Sequence, residues 1–174
     1  VFARSPQTGF YGESYSGGWT PEAVSRAGFD AVVLRGVSPH PQVVEINPHG
    51  VEFHPADDLW GLDTHQTEDA VMQRHAALKK GIKRSGVISI GPAGENLVRF
   101  AVLENDKWRS AGRTGMGAVL GSKKVKALIF NGDAKREWAD PEGMAQFVKQ
   151  IKAKSKGHPG VAAYKKWGTP MTVD

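Results

Sequence analysis

The glycine-rich stretch at residues 105–124 reads NDKWRSAGRTGMGAVLGSKK. It contains four glycines within ten residues and two arginines, Arg109 and Arg113, four positions apart. Glycine permits positive φ angles and close approach of a ligand to main-chain N–H groups, and arginine binds phosphate or carboxylate through a planar pair of donors. The pattern predicts a loop that binds a polyanionic ligand and leads into a short helix, whose N-terminus also favours negative charge. The alternative is an ordinary surface loop with solvated arginines.

Two standard nucleotide-binding motifs do not fit this stretch. A phosphate-binding P-loop needs a glycine, four residues and then Gly-Lys-Ser/Thr, but Ala118 follows Gly117 where lysine is required. The later glycines loosely resemble a dinucleotide fingerprint, which should directly follow a buried strand. Polar residues 104–113 precede them instead. Neither motif therefore supports a nucleotide site.

The composition is that of a globular domain. A chain of 174 residues can bury a core, and it has no run approaching the roughly 20 apolar residues of a membrane span. The net charge of +5 includes basic clusters at 79–84, 123–126 and 149–166. Such clusters are usually solvated, so a basic module that binds a nucleotide or nucleic acid is a minor alternative. The absence of cysteine excludes disulfides and cysteine-ligated clusters within these residues, and is compatible with the cytoplasm.

The ends of the sequence indicate an interior piece of a longer polypeptide. The chain begins with Val1 rather than methionine, directly in an apolar strand-like run, and shows no signal peptide. It stops at Asp174, shortly after a predicted helix. We therefore expect further domains in the same polypeptide or in a separate subunit.

Strand and helix patterns mix without strict alternation, which predicts an α+β fold rather than a doubly wound parallel sheet. Apolar runs predict buried strands at 29–36 and 125–130, and a hairpin is predicted around residues 47–50. Further strands are predicted at 1–3, 87–90 and 97–103, with a tight turn at 91–96. A helix is predicted at 20–27, with Thr20 as cap and Gly28 as stop, and another at 65–80, with Thr64 as cap and Gly81 as stop. Two more helices are predicted near Ala118 and at 140–154. Residues 152–166 are predicted to be a linker or a truncated second domain.

Other polar residues give weaker signals. None of the six histidines has the paired spacing of metal ligands, which favours surface or structural roles for them. Glu95 and Asp106 could form an acid/base pair, but nothing in the sequence fixes their separation, and Glu95 is better explained by the turn around it. Trp19, Trp60 and Trp108 are predicted to pack rather than to stack on nucleic acid, and Trp108, which is adjacent to Arg109, is the best candidate for an exception.

Six segments occur in a specific order along the chain. They are Ser5-Pro6-x-Thr8-Gly9, Ser16-Gly17-Gly18, residues 27–31, residues 57–61, residues 90–101 (IGPAGENLVRFA) and residues 109–123 of the glycine-rich stretch. In this order they resemble the N-terminal domain of the tungsten-containing aldehyde ferredoxin oxidoreductases. The resemblance covers residues 1–132 and lacks the start of that domain, and residues 133–174 are expected to be a helix and linker leading toward a missing second domain.

The resemblance implies an α+β domain of two related sheet-and-helix halves, which form a base for a tungsten, or molybdenum, bis-pterin cofactor. The positions that match the family's pterin and phosphate contacts are Arg109, Ser110, Gly112 and Arg113, together with Tyr15, Ser16 and Gly17. In the family, main-chain carbonyls at the Tyr15 and Ser110 positions approach a magnesium ion that bridges the pterin phosphates. The family commonly has a small amide residue at the Tyr15 position, so this tyrosine is a bulky departure.

The resemblance also implies what these residues do not supply. The family's 4Fe-4S cysteines and substrate-pocket acids belong to later domains, so no catalytic residue is expected here, and this chain alone is expected to be inactive. The implied activity of the whole enzyme is oxidation of aldehydes to carboxylic acids, with ferredoxin as electron acceptor, in a cytoplasmic homo-oligomer without membrane contact. The alternative on the same scaffold is a relative that reduces an aromatic thioester, of the benzoyl-CoA reductase type.

Overall fold

The computed structural model describes residues 1–76, 85–135 and 137–172, and the chain divides into two compact units, residues 1–135 and 136–174. In the first unit the strands are β1 (Phe2–Arg4), β2 (Tyr11–Glu13), β3 (Gln42–Asn47), β4 (Gly50–Pro55), β5 (Gly86–Ser89), β6 (Leu103–Asn105), β7 (Arg109–Ala111) and β8 (Val125–Phe130). Its helices are α1 (Thr20–Arg26), a 3-10 turn (Asp57–Leu59), α2 (Thr64–His75), α3 (Pro92–Glu95) and α4 (Met116–Ser122).

The second unit is helical. It contains α5 (Pro141–Ser155), α6 (Pro159–Trp167) and a 3-10 turn (Thr169–Thr172). Asp140 caps α5 by accepting a hydrogen bond from the Gly143 N–H at 2.8 Å. Residues 152–166, predicted to be a linker or a truncated second domain, form the end of α5 and most of α6, because Pro159 can occupy the first turn of a new helix.

The first unit contains two sheets, which confirms the α+β class. β1 and β2 form a two-stranded antiparallel sheet, and the other six described strands form a mixed sheet in the order β4-β3-β8-β5-β6-β7. β3 and β8 run parallel, and the remaining pairs are antiparallel. Every residue of β8 is buried, because this strand lies inside the sheet and apolar cores cover both of its faces.

The six-stranded sheet separates two apolar cores. Val44, Ile46 and Phe130 face the core that contains α1 and α4, whereas Val43 and Ile129 face the core that contains α2. The alternation along β3 and β8 follows the two-residue period of a strand. The sheet is therefore covered on both faces by helices.

A buried ion pair crosses the end of this sheet. The Lys126 ammonium contacts the Glu95 carboxylate and donates a hydrogen bond to the Leu62 carbonyl at 2.7 Å. The two charged side chains are 0% and 4% exposed. Burial lowers the pKa of Lys126, and the Glu95 carboxylate opposes that shift. Glu95 also accepts the Gly61 N–H, so its role is structural.

Several sequence predictions are confirmed. The hairpin β3–β4, strands β5 and β8, helix α5 and the short helix α4 lie where the patterns placed them. Gly28 follows α1 with a φ of +85°, as a helix-terminating glycine does. Among the described helices, none combines the length and apolar character needed to cross a bilayer.

Five local predictions are wrong. Residues 29–36 form no strand, and Val32 and Val33 are exposed because no described strand pairs with this run. Residues 97–103 form no strand until Leu103, and the tight turn at 91–96 is helix α3. The cap of α2 is Asp63, whose carboxylate accepts the Gln66 N–H at 2.8 Å. The predicted Lys80 end and Gly81 stop of this helix lie outside the described residues, and α2 is described to His75.

The fifth correction concerns the start of α1. Thr20 is the first helical residue rather than the cap, and the preceding Trp19 makes no side-chain capping bond. The carboxylate of Asp106, from another part of the chain, takes this role.

Candidate functional site

The glycine-rich stretch folds as a hairpin followed by a helix rather than as one loop. β6 and β7 pair with Asn105 opposite Arg109, and residues 106–108 form the connecting turn. Asp106 and Lys107 have φ angles of +49° and +59°. Asp is among the residues that tolerate this left-handed conformation best, which helps to place the turn here.

Helix α2 holds the turn in place. The Lys107 N–H donates to Glu68 at 2.9 Å, and the Lys107 ammonium lies 2.7 Å from Asp69. The pKa of Lys107 is raised, chiefly by its hydrogen bond to Asp69. His65 hydrogen-bonds the Lys107 carbonyl at 2.7 Å and contacts Trp108 edge to face. Trp108 nevertheless remains 83% exposed, so the tryptophan is not a core residue.

Asn105 joins the two predicted groups of ligand contacts. The Ser16 hydroxyl donates to the Asn105 side-chain oxygen at 2.5 Å, and the Asn105 amide donates to the Gly17 carbonyl at 2.9 Å. Farther along, the Arg113 N–H donates to the Ser14 hydroxyl at 3.0 Å. The structure therefore brings residues 14–17 beside residues 105–113, although about ninety positions of sequence separate them.

Asp106 supplies the cap of α1 from across the fold. One oxygen of its carboxylate accepts the N–H groups of Trp19 and Thr20 at 2.5 and 3.0 Å, and the other accepts the Thr20 hydroxyl at 3.3 Å. These main-chain groups have no partners within the helix, and a negative charge is favourable there. Asp106 caps α1 and Glu95 binds Lys126 and the Gly61 N–H, so each carboxylate has separate structural partners and the geometry offers no support for an acid/base pair.

Gly18 allows this arrangement. Its φ is +96°, and a Cβ at this position would lie 2.2 Å from an Asp106 carboxylate oxygen and 3.2 Å from Cγ of Arg109. A larger residue would therefore displace the capping carboxylate. The absence of a side chain places the main chain at Gly18 directly beside Arg109.

Most glycines of the stretch serve packing within the protein. Added Cβ atoms at Gly115, Gly117 and Gly121 would lie 2.0, 2.3 and 2.0 Å from the carbonyl oxygens of Arg99, Val102 and Gly94, respectively. These three glycines are buried. By contrast, Gly112 is exposed and has no neighbour closer than 3.7 Å to an added Cβ. Of these four glycines, Gly112 alone leaves its main chain open to a ligand.

The two arginines remain available for an anion. Both are exposed, and neither guanidinium hydrogen-bonds or pairs with a carboxylate within the part of the chain that the structure describes. Ser110, between them, donates to Glu104 at 3.2 Å, and Glu104 also accepts from Thr64 at 3.3 Å. This hydrogen-bonding holds the edge strand β7 from which Arg109 projects.

Tyr15 takes part in the β1–β2 hairpin. Its ring contacts Phe2 edge to face at 6.3 Å, and the side chain is 68% exposed. A hydrogen bond to Glu13 raises the pKa of the Tyr15 phenol. The bulky ring therefore has partners within the hairpin.

Sequence reasoning missed Asn105, which holds the site together, and the capping role of Asp106. The local signal was an Asn-Asp pair at the end of a strand, which is typical of a turn. Their long-range partners, Ser16, Gly17 and Thr20, have no counterpart in a local sequence pattern.

Comparison with known proteins identifies a family for most of the chain. Residues 1–132 match the family described as aldehyde ferredoxin oxidoreductase, N-terminal domain. A tungsten-containing aldehyde ferredoxin oxidoreductase of Thermococcus kodakarensis is 40% identical over 177 residues, and one of Pyrococcus abyssi is 36% identical over 175 residues. Each alignment covers 100% of this chain, which spans 28% of the length of these curated relatives.

Two further relatives carry other activities in their names. The aliphatic sulfonate oxidoreductase, WOR-like subunit, of Pyrococcus furiosus is 32% identical over 82% of this chain and 24% of its own length. Among solved structures, the active site complex BamBC of benzoyl coenzyme A reductase, in complex with 1,5-dienoyl-CoA, is similar with a TM-score of 0.80. That match is 32% identical and covers 89% of this chain and 23% of the other.

Proposed function

The chain belongs to the aldehyde ferredoxin oxidoreductase family, and we propose from this that it seats a tungsten, or molybdenum, bis-pterin cofactor in a larger enzyme. Tungsten appears in the names of the relatives that align with the whole chain. The observation that carries the proposal is the junction of residues 14–17 with residues 105–113, because these are the two segments that match the family's cofactor contacts.

The residues at this junction fit a phosphorylated ligand. Arg109 and Arg113 are exposed, and neither forms a salt bridge to a carboxylate among the described residues, so both guanidinium groups can bind phosphate through two hydrogen bonds. Gly112 between them leaves main chain accessible. In the proposal the arginines neutralise the phosphates, and Ser110 and Gly112 provide adjoining contacts.

The second segment of the proposed site, residues 14–17, lies between β2 and α1. Ser16 and Gly17 are fixed by Asn105, which holds the segment in one conformation before a ligand arrives. In the proposal, the main-chain carbonyls of Tyr15 and Ser110 would hold a magnesium ion beside the phosphates. Ser110 lies in β7, an edge strand that has β6 as its only neighbour in the described sheet.

The chemistry that such a cofactor supplies is two-electron transfer at its metal; the protein positions it and sets the surrounding charge. This chain provides seating through its arginines and main chain. The proposal assigns the substrate pocket and a 4Fe-4S cluster to the rest of the enzyme, since the chain spans 28% of its relatives and contains no cysteine. In the proposal, residues 133–174 lead toward those domains. Ferredoxin is the proposed electron acceptor, and the whole enzyme is proposed to be a cytoplasmic homo-oligomer.

We propose oxidation of an aldehyde to a carboxylic acid as the reaction. The test is elemental analysis for tungsten and molybdenum in the intact protein, fluorescence of the released and oxidised pterin, and aldehyde-dependent reduction of a viologen dye. We expect metal and pterin in fixed ratio and dye reduction with aldehydes. A fully assembled preparation that contains neither metal nor pterin would refute cofactor seating.

A second candidate is reduction of an aromatic thioester, supported by the similarity to the benzoyl coenzyme A reductase complex. Assays of the same preparation with benzoyl-CoA and a low-potential electron donor separate the two reactions. Formation of a cyclic diene thioester without aldehyde oxidation would favour this second candidate, and would leave the proposed cofactor seating intact.

A further inference from the structure

A cluster of three metal-binding side chains lies on the α2 side of the sheet. Glu45 of β3, His54 of β4 and His75 at the end of α2 each offer a ligand atom, and these atoms lie within 4.8 Å of one another. Nε2 of His54 is 3.0 Å from Glu45. The rings of His54 and His75 stack with their centroids 4.3 Å apart.

Strand register explains why these residues meet. Glu45 lies opposite Glu52 in the antiparallel β3–β4 pair, so His54, two residues farther, occupies the diagonal position on the same face. Helix α2 packs on this face and ends at His75. The three residues come from separate elements, and for this reason they show no ligand spacing in the sequence.

The buried side-chain amide of Asn131 hydrogen-bonds two members of the cluster. Asn131 is 1% exposed, and its side-chain N–H₂ donates to one oxygen of Glu45 at 2.8 Å and to the His75 carbonyl at 2.8 Å. Ser85, also buried, donates to the Asn131 oxygen. The other Glu45 oxygen is thereby directed to His54. Such supporting hydrogen bonds are what orient the ligands of protein metal sites.

We propose that Glu45, His54 and His75 bind a divalent transition-metal ion of the zinc class, separate from the proposed pterin site. Two imidazoles and one carboxylate form a ligand set that suits zinc, with a fourth position open to water. In tetrahedral coordination at about 2.0–2.2 Å, the ligand atoms would lie roughly 3.4 Å apart. The ligand atoms lie within 4.8 Å of one another, and Nε2 of His54 is 3.0 Å from Glu45, so side-chain rotation would have to bring them to this spacing.

The bound ion would join the β3–β4 hairpin to the end of α2. The metal replaces the hydrogen bond between His54 and Glu45 with bonds from both residues to one ion. It adds a link to His75, a residue that the hairpin otherwise contacts through ring stacking. The expected consequence is metal-dependent thermal stability of this part of the protein, because binding to the folded state alone shifts the unfolding equilibrium.

The test uses Zn²⁺ alone, added to the protein that carries this chain after dialysis against EDTA. Isothermal titration and elemental analysis are run on the wild type and on the His54→Ala, His75→Ala and Glu45→Gln variants. We expect the wild type to bind one equivalent more zinc than either alanine variant. Glu45→Gln keeps an acceptor for Asn131 but removes the charged ligand, and should weaken zinc binding by more than the roughly tenfold that loss of a supporting hydrogen-bond partner typically costs.

His49→Ala is the matched control. His49 lies at the exposed tip of the same hairpin, outside the cluster. This variant should bind zinc as the wild type does. Circular dichroism reports whether each variant is folded, and the absorption spectrum of Co²⁺, added in place of zinc, reports coordination in folded protein. Equal zinc stoichiometry and affinity in wild type, His54→Ala and His75→Ala would overturn the proposal, as would a Co²⁺ spectrum unaffected by these changes.

Discussion

Asp106 binds Thr20 through both oxygens of its carboxylate, one accepting the Thr20 N–H at 3.0 Å and the other the Thr20 hydroxyl at 3.3 Å. The same side chain accepts the Trp19 N–H. One residue in the turn between β6 and β7 thus determines where α1 begins. It also fixes the segment before α1 beside Arg109, so the start of the helix and the candidate site depend on the same carboxylate.

Replacement of Asp106 should loosen both features. Asp106→Ala removes the acceptor of two main-chain N–H groups and a negative charge at the N-terminus of a helix, for an expected loss of about 2 kcal/mol in the free energy of unfolding. Urea denaturation measures this loss, and limited proteolysis should show earlier cleavage within residues 14–19. Asp133→Ala, which changes an exposed carboxylate, should alter stability by less than about 0.5 kcal/mol.

The contact between α3 and α4 should not tolerate a methyl group. In Gly121→Ala the new Cβ would lie 2.0 Å from the Gly94 carbonyl oxygen. Alanine raises helix propensity by about 1 kcal/mol, but overpacking against main chain outweighs this gain, and we expect a net loss of about 2 kcal/mol. Gly17→Ala has open space at its Cβ and serves as the control in thermal denaturation. Equal stability of the two variants would contradict the packing.

The arginines should affect cofactor content and not folding. Arg109→Gln and Arg113→Gln each remove a charge-assisted contact of about 1.5–3 kcal/mol, so pterin retention should weaken by tenfold or more. Pterin and tungsten per polypeptide measure the effect in the intact enzyme. Thermal stability of the cofactor-free protein should stay within about 0.5 kcal/mol of wild type.

Arg35→Gln is the control for the arginine series. Arg35 is exposed and lies outside the site. This variant should keep its full pterin and tungsten content. An equal loss of cofactor in all three arginine variants would indicate a general effect of positive charge rather than binding by Arg109 and Arg113.

The buried ion pair should be costly to break on one side. Lys126→Met leaves the buried Glu95 carboxylate without its ammonium partner, with an expected loss of about 3–5 kcal/mol. The double variant Lys126→Met/Glu95→Gln removes both charges and should recover a large part of this loss. A double-mutant cycle by urea denaturation measures the coupling. Independent, additive losses would show that the two charges contribute separately.

Local sequence signals predicted those elements whose determinants are local. β8 was found as a continuous apolar run and the β3–β4 hairpin as two runs around a turn, and both are present. The strand predicted at 29–36 failed because an apolar run requires a neighbouring strand, and no described strand pairs with Val32 and Val33. A strand pattern specifies propensity but not the presence of a partner.

The candidate site was partly predictable, because some of its determinants are local in sequence and others are not. Arginine and glycine spacing pointed to residues 109–113, but the pattern could not distinguish a glycine open to ligand from one packed on main chain. Gly112 is open, whereas Gly115 and Gly117 lie against carbonyl groups of the protein. The link from Asn105 to Ser16 depends on the tertiary fold and appears only in three dimensions.

The central place of β8 also shapes how the protein is made. β8 lies between β3 and β5, and Phe130 of β8 pairs with Ile46 of β3. Because β8 is the last described strand of the sheet in the chain, β3 and β5 can pair with it only after it has been synthesised. Until then, β3 and β5 each expose an unpaired edge on the nascent chain. Unpaired strand edges can pair with those of other nascent chains before β8 is complete. The yield of folded protein should therefore depend on chaperones that bind these edges and on the rate of translation through β8.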